Sequence, residues 1–199
     1  MTSNGIENYK AFLKGDEKAL EGLVATYSDN MIYYAYHTVA NFSLAEDIME
    51  SAFLKLIIKQ PSLKDEGELA VYLFKALAEG IREWNKKRQK ITLSKNLFGE
   101  IKDIPENEWA SANLIKTPED KIKFDVLSHY ESKAKPILFL YFFQKFNRKQ
   151  ISEITGTDED FVGKVMALGR ERLINTVSVL MDSELPKDFT SIKKGDGKI

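Results

Sequence analysis

Asn147-Arg-Lys-Gln-Ile-Ser-Glu-Ile-Thr-Gly156 runs directly into Thr157-Asp-Glu-Asp-Phe-Val162. Asparagine is a strong helix N-cap and glycine offers a left-handed stop, so the first segment predicts a short capped helix. Thr157 to Asp160 then caps a long helix with Phe161, Val162, Val165, Leu168 and Leu173 at helical spacing. Two helices joined by a tight glycine turn form a helix-turn-helix pattern. In a DNA-reading version the first half of the second helix enters the major groove. Here that end carries Asp158, Glu159 and Asp160, which suit the helix dipole but repel phosphate.

Helical spacing continues outward from this pair. Thr117-Pro-Glu-Asp120 starts a helix with a capping hydroxyl, proline at the first helical position and acids in the first turn; Pro136 suits the start of another running to about Lys145. Near the N-terminus, Ile6, Tyr9, Phe12 and Leu13 mark one apolar face, Gly15 can stop that helix and Asp16 can cap the next. The next helix carries Leu20, Leu23, Val24 and Tyr27 and continues to Val39, with a break expected near Ser28-Asp29-Asn30. Ser43-Leu-Ala-Glu46 has capping-box spacing. The helix it predicts turns Ala45, Ile48, Ala52, Phe53 and Leu56 inward and ends before Pro61. A polar loop from Gln60 to Glu68 precedes a helix from about Leu69 to Lys87. From Ile91 to Thr117 the periodicity weakens. No segment has a useful β-period, so the fold class is all-α: two small helical domains, residues 1–90 and 118–182, joined by a linker at 91–117, with a flexible tail at 183–199.

Composition narrows the function. Of 199 residues, 29 are Lys or Arg and 30 are Asp or Glu, which excludes a uniformly basic nucleic-acid coat. The balance is local too: residues 1–92 carry 12 Lys+Arg and 13 Asp+Glu, and residues 118–182 carry 10 of each. Zero cysteines exclude a disulfide scaffold, a thiol nucleophile and thiolate metal sites, and point to a cytoplasmic protein. The run Ile137–Phe143 is far shorter than the roughly 20 residues that span a bilayer, so no membrane insertion is expected. His37 and His129 lack metal-binding spacing, and no phosphate loop, paired-carboxylate motif or serine elbow is present. No catalytic residue, metal or cofactor is therefore expected.

Arg82, Lys86, Lys87, Arg88 and Lys90 form the densest basic cluster, with Trp84 inside it. Cations can follow a phosphate backbone while an aromatic ring stacks on an unpaired base; equally, lysines complement a helix C-terminus and a tryptophan covers core.

The order of motifs resembles bacterial sigma factors of the small, two-domain extracytoplasmic-function group, over residues 6–90 and 117–177. Phe12-Leu-Lys-Gly-Asp-Glu-Lys-Ala-Leu20 followed by Ala45-Glu-Asp-Ile-Met-Glu-Ser-Ala-Phe-Leu-Lys-Leu56 is similar to the family's polymerase-binding segment. The resemblance implies that Asp47, Glu50, Ser51 and Lys55 meet core RNA polymerase. Leu69 through Arg88 looks like the promoter-melting helix, implying DNA contacts from Tyr72, Arg82, Trp84, Lys86, Lys87 and Arg88, after a loop at 60–68 that captures a flipped base. Residues 147–173 resemble the upstream-element reader, implying DNA contacts from Arg148, Lys149, Lys164, Arg170 and Arg172. Promoter DNA and an anti-sigma protein are the further partners implied. The chain departs from the family at its DNA-reading positions: Tyr72, Ala78 and Glu79 stand where Trp, Arg and Asn are usual, and Gly163-Lys-Val165 and Leu168 replace a more cationic run. Two functions follow: a transcription initiation factor that opens and reads promoters, or a divergent sigma-like interaction protein that binds polymerase or a regulator with weak or no promoter recognition.

Overall fold

A computed structural model describes residues 5–91, 114–130 and 133–184, with the side chains of 88–91 and 181–184 outside the description. Eight helices are present among the described residues: α1 (Gly5–Phe12), α2 (Glu17–Val39), α3 (Phe42–Lys59), α4 (Glu66–Ile91), α5 (Pro118–Ser128), α6 (Lys135–Phe142), α7 (Arg148–Thr155) and α8 (Glu159–Glu184). Those residues contain no strand, so the all-helical class stands. Most of the expected linker and the tail beyond Glu184 lie outside the described residues.

Local chemistry sets most helix ends. Thr117 Oγ1 accepts from the Asp120 amide while Asp120 accepts from the Thr117 amide, a reciprocal capping box at α5. Asn147 and Gln150 form the same box at α7, which Gly156 ends at φ 69°. Asp158 Oδ1 accepts from the amides of Asp160 and Phe161 and caps α8. Gly15 adopts φ 96°, and Asp16 caps α2 by accepting from the Lys18 amide.

Five expectations need correction. The cap of α3 is Asn41, whose side chain accepts from the Leu44 amide at 2.8 Å, so Ser43 sits inside the helix and its spacing to Glu46 is coincidental. Helix α2 passes unbroken through Ser28-Asp29-Asn30, because Tyr27 and Met31 on either side are both buried and hold one continuous face. Helix α4 begins at Glu66, three residues early, where Asp65 accepts from the Glu68 amide. Helix α6 ends at Phe142 rather than near Lys145, which itself adopts φ 58°. Leu13, expected on the buried face, is largely exposed.

The helices before and after the connector share one hydrophobic core. Residues Met31 to Ala35 of α2 are buried all round, because one side of α2 packs on α3 and α4 and the other on α6, with Phe124 of α5 reaching Tyr33. Tyr33 lies 4.9 Å from the Phe139 ring and 5.9 Å from Phe124, and Phe74 of α4 meets Phe146 edge-on at 5.7 Å. Leu114, from the end of the connector, is buried in the same core.

Candidate nucleic-acid and partner interface

The outer face of α3 is built by its inner one. Ala45, Ile48, Met49, Ala52, Phe53 and Leu56 are buried, which turns Asp47, Glu50 and Ser51 to solvent. Ser51 Oγ donates to the Asp47 carbonyl within the helix. Lys55 is half-buried and pairs with Glu79 of α4 at 3.7 Å, so the structure separates it from the other three. Two residues missed in the sequence complete this face: Leu54 is 55% exposed and Ile58 78% exposed. They follow Asp47 by seven and eleven residues, a spacing that places all three on one side of a helix. That periodicity was available and points outward.

Behind α3, the loop at 60–65 is tied at several points. Tyr9 Oη donates to the Pro61 carbonyl at 2.9 Å, Lys10 Nζ to the Lys64 carbonyl at 3.0 Å, and the Lys64 amide to Glu68 at 2.9 Å. Glu66 accepts from the Ile6 amide at 2.7 Å and from Tyr27 Oη, joining the starts of α1 and α4 to α2. Burial and the bond to Glu66 both hold the Tyr27 phenol protonated.

The expected melting-helix residues separate on α4. Tyr72 is half-buried and reaches toward the Lys55 carbonyl at 3.4 Å; burial first and Glu79 second raise its pKa. Trp84 is partly buried against the core. Lys86 and Lys87 are exposed, and the Arg88 side chain lies outside the described residues. Arg82 donates from Nη1 to the Ile154 carbonyl of α7 at 3.1 Å.

The candidates on α7 and α8 likewise do not form one patch. Arg148 is paired with Glu159 at 2.9 Å and approaches Asp160 at 3.7 Å, so the acids in the first turn of α8 occupy it. Gly163 lets that guanidinium stem lie across the helix: a Cβ there would stand 3.0 Å from Arg148 Cδ. Lys149, Lys164 and Arg172 are exposed. Arg170 points elsewhere, with its Nε donating to Tyr141 Oη at 3.3 Å. The same helix exposes Phe161, Leu168, Ile174, Val179 and Leu180.

Among the described residues, no group of three or more His, Asp or Glu side chains is placed to hold a metal, and no helix is long and apolar enough to cross a membrane. His37 packs edge-on against Tyr33 at 4.2 Å, and burial, helped by the Lys135 charge, lowers its pKa to about 3.

No family model and no curated protein matches the chain. Among solved structures, a chain in the co-crystal structure of the sigma factor RpoE in complex with the anti-sigma factor NepR from Bartonella quintana matches at 19% identity with a TM-score of 0.51. The match covers 80% of this chain and 96% of that one. At that identity the likeness is one of architecture: this chain has an all-helical fold similar to that of the solved protein.

Proposed function

We propose that the protein is a sigma-like transcription initiation factor in the cytoplasm, which binds core RNA polymerase through α3 and engages promoter DNA once bound. The observation that carries this reading is an asymmetry on the surface. Asp47, Glu50 and Ser51 stand exposed beside Leu54 and Ile58, while Arg82 and Arg148 are engaged inside the chain. A docking face is open while part of the DNA grip is closed. The similar fold of the solved sigma factor supports the reading. The work is differential binding without covalent catalysis: contacts to single-stranded DNA offset the few kcal/mol needed to unstack a base. The tethered loop at 60–65 is the candidate base-capturing element, Lys86 and Lys87 the candidate backbone contacts, and Lys149, Lys164 and Arg172 the upstream contacts. An anti-sigma protein is a further proposed partner.

A second reading has its own support. Glu79 pairs with Lys55 and Ala78 is buried, at positions where the resembled family carries DNA-contacting side chains. On this reading the protein binds polymerase or a regulator and reads promoters weakly. Run-off transcription with core polymerase and a promoter library separates the two. Specific start sites support the initiation factor; polymerase binding without initiation supports the second reading; neither binding nor initiation overturns both.

A further inference from the structure

Between the two sets of helices lies an open cavity of about 370 Å³. Its walls come from both sides of the shared core. Helix α4 contributes Ile81, Arg82 and Asn85; Lys133, Ile137 and Phe161 face them from beyond the connector. No aspartate or glutamate is among the described residues that line it, in a chain where acids slightly outnumber bases. Arg82 spends one N–H on the Ile154 carbonyl, which fixes the guanidinium, and Lys133 and Asn85 have no side-chain partner among the described residues. Of the acids between the lining residues Thr157 and Phe161, Asp158 accepts from the Asp160 and Phe161 amides, and Glu159 and Asp160 pair with Arg148.

Ile81 and Ile137 are buried yet line the cavity, and Phe161 is 43% exposed at its edge. Cations in a cleft with low-dielectric walls concentrate anions, and a volume of this order suits a small ligand with an apolar body. We propose that the cavity binds a small organic oxyanion, a phosphate or carboxylate carried on a ring. Arg82 and Lys133 take the charge, Asn85 donates to an oxygen, and the ring lies between Ile137 and Phe161. Because the two sides supply different parts of the site, occupancy stabilises their packing by linkage. Such a ligand holds Arg82 where the chain already holds it. The inference does not depend on the sigma-like reading, since binding is measured on the chain alone.

Calorimetric titration of the full chain with phenyl phosphate, benzoate, inorganic phosphate and benzyl alcohol tests this. Phenyl phosphate or benzoate should saturate one site and raise the melting temperature, whereas benzyl alcohol should not. Arg82→Gln and Lys133→Gln should each weaken binding by about tenfold or more, as loss of a charge-assisted hydrogen bond does. Lys133→Gln removes no hydrogen bond or ion pair among the described residues, so the variant should fold as the parent does, and Lys18→Gln, in the exposed first turn of α2, should bind as the parent does. Hydrogen exchange at α4 and α7 amides should slow with ligand. The proposal is overturned if neither ring-bearing anion saturates, if inorganic phosphate binds as well, if Lys133→Gln binds like the parent, or if exchange is unchanged. Displacement of phenyl phosphate by duplex DNA at equal phosphate concentration would also overturn it, in favour of a nucleic-acid groove.

Discussion

Arg82 Nη1 donates to the Ile154 carbonyl at 3.1 Å, so a side chain of α4 satisfies an open carbonyl in the last turn of α7, 72 residues away. A cation at a helix C-terminus is favoured by the dipole as well. The side chain is exposed, so Arg82→Ala should cost only about 0.5–1 kcal/mol in urea unfolding. It should speed hydrogen exchange at the end of α7 more than in α3. Lys75→Ala, which breaks an exposed pair with Glu153 at 3.6 Å, should change stability by less than about 0.5 kcal/mol. Equal effects from both would deny Arg82 its capping role.

Helix α8 approaches α6 closely at Gly169, where an added Cβ would collide with Cδ2 of the fully buried Leu138. Alanine gains up to about 1 kcal/mol in helix propensity, but overpacking costs about 1–3 kcal/mol, so Gly169→Ala should be net destabilising. Leu138→Ala alone opens a cavity costing about 2–5 kcal/mol. The double substitution should cost clearly less than the sum, because the new methyl fills part of that space. Strict additivity would refute the contact.

His37 makes stability depend on pH. Its folded pKa of about 3 lies below the ordinary 6.5, so the unfolded chain takes up a proton that the folded chain refuses. Stability from this group is complete above about pH 6.5 and is lost as pH falls toward 3. Between pH 7.5 and 5.5 the loss should be about 1.4 kcal/mol, the linkage of one proton over roughly one unit below 6.5. Urea midpoints at the two pH values measure it. His37→Gln should remove most of the difference; an unchanged difference assigns it to another group.

Ile58 is 78% exposed, so Ile58→Glu should shift stability by no more than about 0.5 kcal/mol. On the proposed function it should weaken core-polymerase binding by about tenfold or more, as loss of an apolar anchor at an interface does. Unaltered binding would move the polymerase contact away from α3.

The helix ends were legible because capping is local: Asn147 with Gln150, Thr117 with Asp120, and Gly156 act within four residues. Ser43 misled for the same reason, since its spacing to Glu46 satisfied the box pattern while Asn41, two residues earlier, took the amide. What local patterns hid was the packing of α2 between both sets of helices. The run Met31-Ile-Tyr-Tyr-Ala35 is apolar all round, and a helix of that kind is buried all round. That clue was present, but it does not say what covers the second side. Nor did charge spacing show that Arg148 is neutralised by Glu159 and Asp160, or that Arg82 turns to Ile154. Those pairings depend on the approach of α7 to α8 and to α4.

The Tyr33 and Phe139 rings sit 4.9 Å apart but 106 residues apart in the chain. On the ribosome, where about 5–20 residues are added each second, Tyr33 waits roughly 5–20 s before its partner is made. During that interval the second side of α2 is uncovered on the nascent chain. The aromatic face that seals the finished molecule is thus open to wrong contacts while the chain is still being made.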